Sequence, residues 1–131
     1  MTKLKLTHYL LNKPEAVEDF PFGPDTAVYK IAGKMFALVF SSGDITHINL
    51  KCDPLEAIEL RTVFRCVIPA YHMNKKHWNT VIIDSSLPMG ELQRMVDNSY
   101  RLVVSGLSHT LRQGLELRHG KDVLYNIDGS R

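Results

Sequence analysis

Residues 35–40 are six consecutive apolar residues, MFALVF, and this run constrains the fold more than any other feature of the chain. A strand that is apolar on both faces belongs in the interior of a sheet. Turn residues bound the run, since Gly33-Lys34 precedes it and Ser42-Gly43-Asp44 follows it. Glycine can supply the positive φ of a tight hairpin turn. The pattern therefore predicts a meander of three strands over residues 27–32, 35–41 and 45–52.

The third strand of this meander alternates in polarity. Ile48, Leu50 and Cys52 fall on one face, and the residues between them are polar. We therefore expect only one face of this part of the sheet to be buried. The helices should pack on that apolar face.

Capping residues predict two short helices. Residues 2–13 have Thr2 as a possible N-cap and are followed by Pro14, which cannot continue a helix. Asp53-Pro54-Leu55-Glu56 combines an N-cap, a first-position proline and a glutamate at the third position. This predicts a second helix that ends near residue 64 or 65.

The second half of the chain predicts one more strand and one long helix. Residues 79–84 are rich in β-branched side chains, which favours a strand. Apolar residues from Leu92 to Leu115 recur every three or four positions, which indicates a helix lying across a sheet. The predicted order is α-β-β-β-α-β-α, an α+β two-layer sandwich with a twisted antiparallel sheet.

Length and composition favour one cytoplasmic domain. The chain has 131 residues and no internal repeat, and we assign the domain to residues 1–118 and a loosely held tail to residues 119–131. Within this tail, residues 123–127 could add an edge strand. The longest apolar run is far shorter than the roughly twenty residues that cross a bilayer, and the first residues lack the apolar segment of a signal peptide.

The distribution of charge indicates where a ligand could bind. The net charge is only +2, yet no acidic residue lies between Glu59 and Asp84. That acid-free stretch contains four cationic residues, Arg61, Arg65, Lys75 and Lys76. Residues 71–78, YHMNKKHW, add two aromatic rings and two histidines. Lysines neutralise phosphates, and an exposed aromatic ring can stack on an unpaired base.

Each residue of this segment also has a structural interpretation. Trp78 begins a predicted strand and could anchor the core instead of stacking on a base. Asn74 could hold a turn, since asparagine tolerates left-handed backbone. Lys75 and Lys76 could be solvated charges of that turn.

Metal binding and catalysis are the weaker interpretations. His72 and His77 lie five residues apart with no acid or cysteine nearby, which does not match usual zinc spacings. Cys52 and Cys66 form no CxxC pair and lie in no recognisable activating context. The chain has no GxGxxG, Walker-type or HExxH motif. We therefore predict no cofactor, no metal and no enzymatic activity.

Several motifs resemble the MmcQ/YjbR family of small bacterial proteins. They are HMNKKHWNTVIIDSSLP at residues 72–88, KPEAVEDFPF at 13–22, FALV at 36–39 and VDNSY at 96–100, and the likeness covers about residues 1–117. The resemblance implies a fold like that of CyaY, the frataxin homologue, and DNA binding of a "double wing" kind. The matching residues in the acid-free stretch are His72, Asn74, Lys75, His77 and Trp78. Frataxin-like iron binding uses an acidic first helix, whereas residues 2–13 contain three lysines and no acid.

The leading functional hypothesis is a non-enzymatic DNA-binding protein. Lys75, Lys76 and Arg65 would contact phosphates, and Asn74, His72, His77 and Trp78 would add polar and stacking contacts. The alternative is a protein-interaction or small-ligand adaptor in which this segment is structural. The two hypotheses differ in whether the lysines share one exposed face with the two arginines of the preceding helix. Oligomeric state stays open, with a monomer favoured.

Because no ligand cluster is present, folding should not depend on zinc or iron. We expect a chelator such as EDTA to leave the melting temperature unchanged in a thermal unfolding experiment. A decrease of several degrees on chelation would contradict this prediction.

Overall fold

Six strands and five helices make up the part of the chain that the structure, a computed structural model, describes, which is residues 2–71 and 73–125. The strands are β1 (Val17–Asp19), β2 (Thr26–Ile31), β3 (Lys34–Ser42), β4 (Ile45–Lys51), β5 (Val67–Pro69) and β6 (Trp78–Ile82). The helices are α1 (Lys3–Leu11), α2 (Pro54–Val63), α3 (Met89–Ser105), α4 (His109–His119) and α5 (Lys121–Tyr125).

The strands form one antiparallel sheet in the order β1-β2-β3-β4-β6-β5. The predicted meander is confirmed, and β3 lies in the interior of the sheet between β2 and β4. A β-bulge interrupts the pairing of β2 with β3. Tyr29 pairs with Ala37 and Lys30 pairs with Met35, so Phe36 is the extra residue in β3. Phe36 and Ala37 are therefore both buried in the core, each 0% exposed.

The helices pack on one face of the sheet, as the apolar pattern predicts. α3 contacts β2, β3 and β4, and Leu92, Val96 and Val103 are buried. Leu6 and Leu10 of α1 belong to the same core cluster. The predicted caps are also confirmed, since the side chain of Thr2 accepts a hydrogen bond from Lys5 N and that of Asp53 accepts one from Leu55 N.

The prediction of one long helix is wrong, because the helix breaks between α3 and α4. Gly106 caps the end of α3, and Ser108 starts α4 by accepting a hydrogen bond from Leu111 N. Leu107 and Leu115 remain buried across the break. The apolar spacing therefore continues although the backbone changes direction.

Two strands and one helix are missing from the sequence prediction. β1 and β5 have three residues each, too few for an alternating pattern to stand out. α5 lies where we expected a tail or an edge strand, and its Leu124 is buried in the core. The rest of the predicted tail, residues 126–131, lies outside the described residues. None of the helices in the described ranges is long and apolar enough to cross a bilayer.

A buried ion pair ties α1 to α3. The ammonium of Lys13 contacts the carboxylate of Asp97, which is 8% exposed and also accepts a hydrogen bond from the Tyr9 hydroxyl at 2.7 Å. Lys13 also lies over the ring of Tyr9, 5.2 Å from its centre. Removing one partner of a buried pair leaves an uncompensated charge, which is far more destabilising than losing a surface pair.

We predict that Lys13→Met destabilises the fold by about 3 kcal/mol, because the buried Asp97 carboxylate then loses the ammonium of this ion pair. The measurement is urea unfolding, with Lys5→Met on the exposed side of α1 as the matched control. A Lys13→Met variant as stable as the Lys5→Met variant would show that the pair contributes nothing.

The β2–β3 turn contains an unfavourable backbone conformation. Ala32 and Gly33 have φ values of 51° and 80°, as a type I′ hairpin turn requires, and Ala32 is exposed. Alanine adopts positive φ at a cost, whereas asparagine tolerates it and is preferred at this turn position.

Ala32→Asn is therefore predicted to stabilise the protein by about 0.5–1 kcal/mol. Thermal unfolding measures the change, and Ala32→Val, whose branched side chain suits positive φ least, is the opposite control. Equal melting temperatures for all three proteins would contradict the argument.

Candidate nucleic-acid interface and sheet groove

The basic segment forms a tight turn before β6. The amide of His77 donates to Asn74 O at 3.2 Å, and the amide of Lys76 donates to the side-chain oxygen of Asn74 at 2.9 Å. Asn74 therefore holds a turn, as considered, but through a side chain that mimics a backbone turn and not through left-handed backbone, since its φ is not positive. His72 lies outside the described residues.

Arg61 from α2 joins this turn. Its guanidinium donates to Ala57 O at 3.1 Å and to Lys75 O at 3.4 Å. The ammonium of Lys75 folds back to donate to Ala70 O at 2.6 Å, and Lys76 is exposed. We call Arg61, Lys75 and Lys76 the basic corner.

Arg65 is not part of the basic corner, which corrects the sequence prediction. The amide of Ile82 donates to Cys66 O, so Arg65 lies beside the far end of β6. Hydrogen bonds from Ser86 lower the pKa of Asp84, and the charge of Arg65 lowers it further. The strand spans five residues, so its two ends are roughly 13 Å apart. Only one of the two arginines therefore shares a surface with the lysines.

Trp78 is not a core anchor. It is only partly buried and does not belong to the core cluster. It pairs with Lys51 of β4, and strand alternation places it on the same sheet face as Thr80, opposite the helices. Its neighbour His77 is also partly buried, and the backbone oxygen of His77 accepts a hydrogen bond from Cys52 N at 2.8 Å.

The second face of β4 is not open to solvent, contrary to the sequence prediction. His47 and Asn49 are 7% and 1% exposed. The Thr80 hydroxyl donates to the side-chain oxygen of Asn49 at 2.5 Å, and the amide of Tyr71 donates to the Thr80 hydroxyl at 3.1 Å. The Asn49 amide group then donates to Tyr71 O at 3.3 Å. These bonds satisfy polar groups that burial would otherwise destabilise.

A large groove lies on this helix-free face, and sequence analysis did not identify it. We call it the sheet groove; its volume is about 1000 Å³. The residues that line it come from β2, the β2–β3 turn, β3, β4 and the loops before β2 and before β6: Pro21, Phe22, Asp25, Thr26, Val28, Lys30, Gly33, Met35, Leu38, Phe40, Ser41, Ser42, Asn49, Tyr71 and Met73. The one sequence feature that could have indicated the groove is that residues 35–40 of β3 are apolar on both faces of the strand, including the face opposite the helices.

The described residues offer little reactive chemistry. Burial, together with the neighbouring Glu56 carboxylate, raises the pKa of the Cys52 thiol to about 12. A thiol of that pKa is protonated at neutral pH and is a poor nucleophile. Over residues 2–71 and 73–125, no three His, Cys, Asp or Glu side chains converge to hold a metal ion.

Solved structures with the same architecture come from two bacteria. The crystal structure of Deinococcus radiodurans protein DR2400 superposes with a TM-score of 0.80 and 33% sequence identity, over 87% of this chain and 87% of that chain. A Pseudomonas syringae crystal structure superposes with a TM-score of 0.70 and 30% identity, over 78% of this chain and 98% of that one.

Sequence comparison gives the family. The uncharacterised protein YjbR of Escherichia coli K12 is 33% identical over 113 residues, which is 86% of this chain and 96% of YjbR. The uncharacterised protein YbdF of Escherichia coli O157:H7 is 38% identical over 89 residues, which is 68% of this chain and 73% of YbdF. The YjbR family model matches residues 11–102. This chain therefore belongs to the YjbR family.

Proposed function

We propose that this protein binds DNA without catalysing a reaction, and that the basic corner contacts the phosphates. The observation that carries the proposal is the convergence of cations from α2 and the turn before β6. Arg61 is hydrogen-bonded to the backbone of Lys75, and Lys76 is exposed beside it. Cations held close together on one surface neutralise neighbouring phosphates and release counterions.

The electrostatic surroundings of the corner support the same proposal. Lys51 of β4 pairs with Trp78 of β6, which follows directly after the turn that carries the two lysines. Lys51 is therefore a fourth cation near the basic corner. Two acids lie close to these cations along the chain: the Asp53 carboxylate accepts the amide of Leu55 at the start of α2, and Glu59 lies two residues before Arg61. Partly exposed Trp78 could contact a base or sugar next to the bound phosphates.

The finer features that the resemblance implies belong to this proposal as well. They are the CyaY-like topology, the double-wing mode of DNA binding and a cytoplasmic location. In such a mode, the turn before β6 would be the element that approaches the DNA backbone. Contacts of this kind position a protein on DNA and depend strongly on salt.

We predict that Lys75→Ala with Lys76→Ala weakens binding to duplex DNA and flattens the slope of log affinity against log salt by about 1.8, roughly 0.9 per phosphate. Lys76→Ala alone should flatten it by about 0.9, because each lysine contacts one phosphate. An electrophoretic or fluorescence titration at several salt concentrations measures both slopes.

The matched control removes the same charge elsewhere: Lys3→Ala with Lys5→Ala, two exposed lysines of α1. This control should leave the slope unchanged, and thermal unfolding should show that all variants remain folded. No binding by the unaltered protein at low salt would overturn the DNA proposal. An unchanged slope in the Lys75/Lys76 variant would move the contact away from the basic corner. Arg101 of α3 and Arg112 of α4, which lie in a second acid-free stretch at residues 98–115, would be tested next.

A second candidate function, a small-ligand or protein-interaction adaptor, is favoured by the sheet groove. The groove is concave and lined mainly by apolar and aromatic side chains, as ligand sites generally are. The structural roles of Asn74 and Lys75 in the turn also fit this candidate, because both side chains bond to backbone groups.

A further inference from the structure

We propose that the sheet groove binds an organic cation, an alkyl- or arylammonium compound with an apolar body, and that Asp25 is its counter-ion. This inference rests on the second candidate function and specifies its ligand. It follows from the charge, the aromatic rings and the length of the groove.

The floor of the groove is apolar, and the protein already covers part of it. Val28 is 2% exposed although it lies outside the main core cluster, so it is covered from the helix-free side. Leu38 and Met35 continue this floor along β3, and Met73 forms part of one wall. Methionine side chains adapt to ligands of different shape. An apolar ligand body would therefore lose water-exposed surface here without displacing bound polar groups.

The charges of the groove leave one carboxylate uncompensated. Its two charged lining residues are Lys30 and Asp25. Lys30 is paired with Asp19 of β1 at 3.1 Å, and this ion pair holds the pKa of Asp19 below its usual value. Asp25 is exposed, and in the described part of the chain no hydrogen bond or ion pair engages its side chain. Of the two charged lining residues, Asp25 is thus the one without an opposite charge among the described residues, which favours a cationic ligand at its end of the groove.

Aromatic rings surround the same end of the groove as Asp25. Thr26 pairs with Phe40 in the sheet, so Asp25 lies at the Phe40 end. Phe22 is 72% exposed and precedes Asp25 in the same loop, and Tyr71 is 49% exposed with its ring 6.1 Å from that of Phe40. Aromatic faces attract ammonium groups, most strongly when a carboxylate adds its charge. Such a combination is the usual way in which proteins recognise alkylated ammonium compounds.

The length of the groove sets the size of the ligand. From Thr26 to Lys30 the strand advances four residues, or roughly 13 Å. An extended decyl chain is of similar length. A decyl compound with its head group beside Asp25 would therefore reach along the floor toward Lys30.

The experiment uses two probes of equal chain length and opposite charge, decyltrimethylammonium and decanoate, below their micelle-forming concentrations. Titration calorimetry measures affinity, and NMR shifts of backbone amides locate the site. We expect decyltrimethylammonium to bind at least fivefold more tightly than decanoate, with shifts confined to β2, β3 and residues 20–26 and 71–73.

Substitutions at exposed positions test the assigned roles without disturbing the core. Asp25→Asn should weaken decyltrimethylammonium binding at least fivefold, and Phe22→Ala should also weaken it. Lys30→Gln removes the groove's own cation and should leave binding equal or tighter. Asp44→Asn, in the β3–β4 turn outside the groove, is the matched control for loss of a carboxylate and should change nothing.

The possible failures are distinguishable. If decanoate binds as tightly as decyltrimethylammonium, or if Asp25→Asn has no effect, the inferred ligand class is wrong while the ligand-binding candidate survives. If neither probe shifts any resonance of the groove, both the inference and the small-ligand candidate are overturned. Neither result bears on DNA binding, because the basic corner is measured separately.

Discussion

One buried hydroxyl joins the two layers of this protein. The bulge in β3 leaves Phe36 without a partner in the β2 register, and the Ser99 hydroxyl of α3 donates to Phe36 O at 2.6 Å. The same hydroxyl accepts a hydrogen bond from Lys51 N at the end of β4, at 2.9 Å. Because Ser99 is fully buried, these groups have no water to replace the bonds. The bulge also turns the side chain of Phe36 into the core while Leu38 and Phe40 still face the groove. The packing of α3 and the apolar surface on the opposite side therefore depend on the same irregularity in β3.

The motifs that carry the family resemblance are largely explained by such contacts. Lys13 and Asp97 lie in two separate motifs and form the buried ion pair, and the Tyr100 hydroxyl donates to Pro14 O at 2.7 Å. Asn79 lies in the motif at residues 72–88 and is 3% exposed. Its side-chain amide donates to Ala57 O at 3.2 Å and so holds α2 against the sheet. These residues specify how distant segments meet. The motif positions that such contacts leave exposed include Lys75 and Lys76 in the turn before β6, and the DNA proposal rests on these two lysines and on Arg61.

Features that depend on local sequence could be predicted, and features that depend on distant pairing could not. Capping by Asp53 and the interior position of β3 follow from a few adjacent residues. The three-residue strands exist only because a longer strand pairs with them, so no local pattern indicates them. Nothing in the local sequence distinguishes Arg61 from Arg65 as a candidate phosphate contact. Because α2 ends at Val63, Arg61 lies in the helix and Arg65 lies beyond it, so their side chains reach different surfaces. The sheet groove escaped prediction for the same reason, because its walls come from loops that meet only in the folded chain.

The two proposed sites have opposite charge, but they share one segment. The loop before β6 places Tyr71 in the wall of the groove and Lys75 in the basic corner. The ammonium of Lys75 bonds to Ala70 O, and the next amide, that of Tyr71, is held by the Thr80 hydroxyl. Thr80 in turn bonds to Asn49, which lines the groove. A short chain of hydrogen bonds thus connects the groove to the backbone on which the corner is built. If both proposals hold, Asp25 would repel a polyanion and the basic corner would repel an organic cation, so each ligand would bind at its own surface. The position of the turn would then depend on the polar cluster beneath both sites.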